Sequence, residues 1–204
     1  MSERFRELPE ERQICILRAA MEVFAKYDYK KASTDLIASR AGVSKGLLFY
    51  YFHNKKDLYL TVYEYVKQII TEGVADTRLL EMTDFFELIT YATMKKIRIL
   101  AENPYIVEFS LCSFYSEKEE ISGELKLKTR EGIDENYRQY FSKIDFSKFK
   151  EDVNPFEIFK MMVWIVDGYV HERQMGNEPL CLEEISRAFA NWTEMFKQIA
   201  YKSG

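Results

Sequence analysis

The chain has 204 residues, room for one large domain or two small ones. With 47% hydrophobic and 15% aromatic residues it holds ample material for a packed core, which excludes a disordered chain. Its formal net charge is −4, yet eleven Lys/Arg stand against eight Asp/Glu over residues 1–60, so a slightly basic first quarter precedes an acidic remainder.

The start, Met1 to Glu7, lacks the apolar core of a signal peptide. The longest strongly apolar stretch, Met161 to Val166, is broken by Asp167 and falls far short of the roughly 20 residues that span a bilayer. These features predict a cytoplasmic protein with no membrane partner. Ile14, Leu17, Met21 and Phe24 recur at three- and four-residue spacing, which predicts an amphipathic helix from Glu10 to about Lys26. The stretch Tyr27–Lys31 breaks that pattern. Ser33 and Thr34 then offer an N-cap, with Asp35 in the first turn, to a short helix that ends at Gly42. Val43 points inward, and Ser44 caps a second short helix from Lys45 to about Phe52.

Asn54, followed three residues later by Asp57, resembles a capping box. The helix it opens carries Leu58, Val62, Tyr65, Val66 and Ile69 and runs past residue 70. Further helices are predicted over Thr83–Asn103, Tyr105–Tyr115 and Ser122–Lys143, then a loop over Asp145–Val153. Two apolar helices follow, Pro155–Met175 and Leu182–Ala200, separated by Gly176–Pro179. Only eight glycines and four prolines punctuate the chain, and no repeat or convincing strand occurs. The reading is all-α. A three-helix helix-turn-helix domain covers residues 1–54, with a connecting helix reaching to about 70, and a larger helical domain covers 55–204.

Cys15, Cys112 and Cys181 are far apart with no CxxC pair, so neither a disulfide framework nor a zinc site is expected; each reads as a small buried apolar residue. His53 and His171 stand at no metal-ligand spacing, and there is no phosphate-binding glycine loop or nucleophile elbow. The chain is therefore expected to hold no metal or cofactor and not to be an enzyme.

Two short helices around a glycine turn bury little surface alone. They pack on the first helix through Ile37, Ala41, Val43, Leu48 and Phe52, which leaves the start of the second helix exposed and suited to the major groove. Thr34 and Ser44 sit at helix starts, where hydroxyls and backbone N–H groups meet phosphates. Lys45 supplies charge, Gly46 permits close approach, and Leu47 follows it along the same face. Tyr50 and Tyr51 provide rings and hydroxyls, and Lys55 opens the next helix where the duplex backbone passes. These eight residues form the expected DNA-binding set.

The amphipathic Ile14–Phe24 helix, Thr34, Ala41-Gly42-Val43-Ser44-Lys45-Gly46, Leu48, Tyr50-Tyr51-Phe52 and Asn54-Lys55-Lys56-Asp57-Leu58 together resemble the tetracycline-repressor (TetR) family over roughly the first sixty residues. The resemblance implies a homodimer of nine- or ten-helix subunits on a near-palindromic operator in double-stranded DNA. It also implies a small-molecule effector that binds the C-terminal domain and releases the DNA. Phosphate contacts then fall to Thr34, Tyr50 and Lys55, with Lys45, Gly46, Leu47 and Tyr51 along the groove. Leu47 stands where a small or polar residue is frequent, and Phe49 where tyrosine is frequent, so this copy has fewer polar side chains for reading bases.

The Pro155–Met175 helix is apolar on two faces, and the last helix repeats the theme. Both must be covered on two sides, by the monomer's own core or by a second copy. The expected dimer face is Phe159, Val163, Val166, Val170, Phe189, Trp192 and Phe196, with Gly168 either permitting close helix approach or relieving local crowding. Tyr91, Met94, Phe109, Cys112, Tyr137, Phe141, Met161 and Trp164 suit the lining of an effector cavity, or simply a core. Asp167 joins that set and either meets a cationic ligand or pairs with Arg173 or a lysine. The function expected is a sequence-specific DNA-binding repressor released by a small apolar or aromatic effector. The alternatives are a ligand-independent dimeric regulator or activator, and a helical protein-interaction module.

Overall fold

A computed structural model of the chain describes residues 3–115, 121–176, 178 and 181–202. Among the described residues eleven α-helices succeed one another: α1 Glu3–Arg6, α2 Glu10–Lys31, α3 Thr34–Arg40, α4 Lys45–Tyr51, α5 Lys55–Val74, α6 Thr77–Glu81, α7 Phe85–Glu102, α8 Pro104–Tyr115, α9 Ser122–Tyr140, α10 Pro155–Met175 and α11 Leu182–Ala200. A single 3-10 turn, Phe146–Lys148, lies in the expected loop. No strand occurs among the described residues; Phe149 and Tyr201 share one isolated antiparallel bridge.

The helices form two compact units, one of Met1–Glu72 with Glu102–Arg130, the other of Gly73–Ala101 with Glu131–Gly204. A boundary at residue 54 follows the end of the motif. The compact units cut elsewhere because α8 packs along α2 and so joins the first unit from far along the chain.

In the first unit, the α2 stripe Ile16, Leu17, Ala20, Met21 and Phe24 is buried with Ile37, Leu48 and Phe52. Tyr59 of α5 is fully buried, edge-on to Phe24 at 4.8 Å and 5.1 Å from Phe109 of α8. Each such side chain contributes about 1.5–3 kcal/mol through burial. The sequence break at Tyr27–Lys31 proves to be one residue's excursion: Asp28 takes φ 56° inside α2, and the helix resumes beyond it. Aspartate tolerates that region better than most residues, and its carboxylate accepts the Lys31 backbone N–H at 3.0 Å and the Lys31 ammonium at 3.1 Å. The start of α9 is tied to α5 by Lys56–Glu124 at 3.0 Å and Lys128–Glu64 at 2.6 Å.

The second unit is built on Leu79, Phe85, Phe86, Leu88, Phe141, Phe149, Ile158, Met162 and Phe189. Phe85 sits at its centre, 5.0 Å from Phe86, 5.1 Å from Phe141 and 5.0 Å from Phe149. The chain end is held by the Lys150 N–H donating to Ala200 O and the Lys202 N–H to Lys148 O, both at 2.9 Å.

The residues expected on the dimer face and in the cavity along α10 and α11 fall in different settings. Phe189, expected on a dimer face, is 2% exposed and belongs to the core. Phe159, Val166, Trp192 and Phe196 are half-buried against that same core, Phe159 lying 5.4 Å from Tyr137 and 5.2 Å from Phe141. Val163 and Val170 are also half-buried. Trp164, expected in a cavity, is 57% exposed. Helical phase explains the exchange: Ile158, Met162 and Val166 make the inner row, and Trp164, two residues on from Met162, lies about 200° around the helix.

Candidate nucleic-acid interface

The turn between α3 and α4 is closed by backbone hydrogen bonds and a side chain from α2. Gly42 adopts φ 61°, its N–H donates to Ser39 O at 3.2 Å, and the Val43 N–H donates to Ala38 O at 3.0 Å. This is the double bond of a Schellman motif, which satisfies the last carbonyls of α3. A Cβ on Gly42 would meet nothing within 4 Å, so the glycine is required by conformation rather than space; a side chain in that region costs roughly 1–2 kcal/mol. From α2, the Arg12 guanidinium donates to Gly42 O at 2.8 Å and pins the turn. No local sequence signal announces that contact, because the two residues are 30 apart.

Both short helices are capped by serine. Ser33 Oγ accepts the Leu36 N–H at 3.4 Å, and Ser44 Oγ accepts the Leu47 N–H at 3.1 Å. Thr34 is therefore the first residue of α3 rather than its cap, and is half-buried. Ser44, Lys45 and Gly46 are exposed, and Leu47 and Tyr50 stand 37% and 51% exposed on the same outer row. Tyr51 departs from expectation: only 9% exposed, it packs edge-on to Phe5 at 6.0 Å. Leu48, Tyr51 and Phe52 share the inner stripe at three- and four-residue spacing, so the fold brings one of the adjacent tyrosines to the surface and commits the other to the core.

The two lysines of the expected DNA-binding set, Lys55 at a phosphate and Lys45 along the groove, both have protein acceptors. The Lys45 ammonium pairs with Asp35 at 2.8 Å, with both side chains more than half exposed. The Lys55 ammonium donates to Lys30 O at 3.2 Å and lies 5.1 Å from the Tyr29 ring centre. It thus closes the end of α2 from the start of α5. Asn54 opens α5 as expected, accepting the Asp57 N–H at 2.8 Å.

The expected effector-cavity residues are divided between the two compact units. Phe109 is fully buried in the first unit against Tyr59, whereas Tyr91, Met94, Tyr137, Phe141 and Met161 belong to the second. Phe141 is a core residue, 5% exposed and stacked on Tyr137 at 4.5 Å. The side chain of Cys112 lies outside the described residues. Neither other cysteine is buried: Cys15 is exposed and Cys181 half-buried.

Tyr91 donates its hydroxyl to Asp76 at 2.7 Å, beside the Lys95 ammonium at 2.6 Å from the same carboxylate oxygen. Hydrogen bonds from Lys95 and then Tyr91 hold the Asp76 carboxyl far below the usual carboxylate range, and the same bond pushes the Tyr91 hydroxyl up. Tyr91 also borders an open groove of about 570 Å³ lined by Arg78, Asp84, Lys148 and Lys197 among others. On the facing surfaces of α7 and α10, Lys96 is pushed down by burial and partly restored by Asp167. Lys96 is nevertheless exposed. Arg173, the other partner considered for Asp167, is occupied by Glu178 and Glu184.

Among the described residues no group of His, Cys, Asp and Glu is placed to hold a metal ion, and no helix is long and apolar enough to cross a membrane. Residues 16–62 match the family model described as bacterial regulatory proteins, tetR family. The chain is 36% identical over 110 residues to the HTH-type transcriptional activator FasR of Mycolicibacterium smegmatis, covering 48% of this chain and 49% of that protein. It is 37% identical over 49 residues to the fatty acid metabolism regulator protein of Bacillus subtilis, covering 24% of this chain and 25% of that one. These matches span half or less of the curated relatives' length. By fold, the chain is similar to the transcriptional regulator FadR of Bacillus subtilis, solved in complex with stearoyl-CoA, with a TM-score of 0.68 at 20% identity over 88% of this chain and 96% of that one. The matched segment, residues 16–62, built as described, is thus similar to the helix-turn-helix of the tetR family, and the chain as a whole is similar in fold to FadR.

Proposed function

We propose that the protein is a cytoplasmic transcription regulator that binds a near-palindromic operator as a homodimer and answers to a fatty acyl effector. The observation that carries the DNA-binding part is the outer row of α4: a capped, exposed helix start with Ser44, Lys45, Gly46, Leu47 and Tyr50 in line. A helix in that attitude presents its N-terminal residues to base edges and its flanks to phosphates. Leu47, apolar and exposed, suits a thymine methyl rather than a hydrogen bond.

A second copy is the partner that best accounts for the outer faces of α10 and α11. Trp164, Met175, Met195 and Ile199 are 57%, 76%, 60% and 56% exposed, and Gly168 has open space above its Cα. The acyl class of effector rests on the fatty acid regulators among the relatives, one of them solved with stearoyl-CoA. Lys96 of α7, exposed and within charge range of Asp167 of α10, supplies a cation suited to a polar head. Release of DNA by the effector makes the protein a repressor. Activation is the second reading, favoured by the 36% identical relative being an activator.

The test is footprinting on the DNA flanking the protein's own gene, repeated with palmitoyl- and stearoyl-CoA. A protected near-palindrome that loses protection with micromolar acyl-CoA is the expected result. Protection unchanged by any acyl-CoA would remove the effector class, and no protected site would remove the DNA-binding reading. Transcription in vitro from the same fragment separates repression from activation.

A further inference from the structure

We infer that the N-terminal segment Glu3–Leu8 is a docked arm that adds a DNA-backbone contact, through Arg4, to the helix-turn-helix surface. The inference rests on the DNA-binding reading above and assigns a residue that lies ahead of the family-matched stretch 16–62.

The arm is anchored rather than loose. Phe5 is fully buried, with its ring 4.7 Å from Phe52 and 6.0 Å from Tyr51 at the end of α4. On the other side the Gln13 amide of α2 donates to Leu8 O at 2.8 Å and to Arg6 O at 3.2 Å. The anchors at Phe5, Arg6 and Leu8 fix the backbone path from Phe5 onward, directly beside Arg4, so less freedom remains to be lost when a partner binds.

That path sets the Arg4 guanidinium 4.5 Å from the centre of the Tyr50 ring, the exposed tyrosine on the outer row of α4. A guanidinium lying over a ring leaves its in-plane N–H edge unused, and that edge matches two oxygens of a phosphate. Among the described residues Arg4 has no carboxylate partner. By contrast, Lys45 is paired with Asp35, Arg40 with Glu22, and Arg12 bonds Gly42 O. Tyr50 lies one and a half turns beyond the helix start, where α4 leaves the base edges for the groove wall, so the cation beside it meets backbone rather than bases. Arg4 and Tyr50 together form a paired donor site for one phosphate of each half-site.

The experiment measures binding of the full chain to its footprinted operator by fluorescence anisotropy over a salt series. The proteins compared are wild type, Arg4→Ala, Phe5→Ala, their double variant and Lys45→Ala. Arg4→Ala is expected to weaken binding about ten-fold at moderate salt and to lower the slope of log affinity against log salt by about 2 per dimer, roughly one phosphate for each protomer. Its helicity and melting temperature stay at the wild-type values. Phe5→Ala, which undocks the arm, loses affinity to a similar degree, and adding Arg4→Ala to it costs little more. Wild-type affinity and slope in Arg4→Ala, alongside a clear loss in Lys45→Ala, would overturn the arm while leaving the DNA-binding reading intact. A loss that depends on the flanking base sequence at unchanged slope would overturn the phosphate assignment. Wild-type protein that binds no duplex would overturn both readings.

Discussion

Lys45 opens α4 with its ammonium held by Asp35, the acid in the first turn of α3. The pair joins two exposed side chains, so it is worth about 0–1 kcal/mol, and an approaching phosphate competes with Asp35 for the same cation. Asp35→Asn is therefore expected to raise operator affinity by up to about five-fold, since it frees Lys45 and removes a negative charge from the groove face. Anisotropy titration checks this; weaker binding in the variant would mean that Asp35 positions Lys45 rather than restrains it. The pairing was hidden in the sequence because ten residues and a glycine turn separate the partners. Tyr50 and Tyr51 carry the same lesson. Adjacent identical side chains are 51% and 9% exposed, and only the packing of Phe5 shows which of them faces the core.

Among the elements, those with caps and long apolar rows were readable. Asn54, Ser44 and Gly42 perform the local jobs their chemistry predicts, and α10 and α11 have the boundaries expected from Pro155, Met175, Leu182 and Ala200. The short helices were not. α1 and α6 have four and five residues, too few to display a period, and they exist because Phe5 and Leu79 are buried by other parts of the chain. Asp76 stabilises α6 as its N-cap and receives Tyr91 and Lys95 from α7. Its carboxyl is held below the ordinary range, so its contribution is complete above the unfolded-state value near 4. The contribution drains away as the pH falls from there toward the lower folded value. Burial would raise the Asp84 carboxyl, but hydrogen bonds from Lys148 and the Glu87 backbone N–H outweigh it and hold it below the ordinary range, so it adds in the same direction. The melting temperature should therefore fall more steeply from pH 5 to pH 3 in wild type than in Asp76→Asn, which keeps a capping oxygen but lacks the charge. Parallel curves would show that the cluster adds no acid sensitivity.

For the whole molecule, the apolar surface left on α10 and α11 is the feature that a single chain does not use. Trp164→Glu with Met195→Lys is expected to convert the proposed dimer to a monomer in size-exclusion chromatography with light scattering. Operator affinity should fall at least a hundred-fold, because only one half-site is then engaged at a time, while helicity is retained. A variant that stays dimeric would place the interface elsewhere. Both substitutions sit on the outer face revealed by exposure rather than on the stripe expected from the sequence.

By itself the sequence determined the helical class, the long helices, the capped glycine turn and the exposed start of α4. Each of these depends on residues within a few positions of one another, where spacing and side-chain chemistry are sufficient. Only the tertiary structure decided which side of α10 is core, which tyrosine is exposed, that Phe109 belongs with the first unit, and that the N-terminal arm returns to α4. Those outcomes depend on contacts between distant segments, and an apolar row looks the same in a sequence whether its own chain or another one covers it.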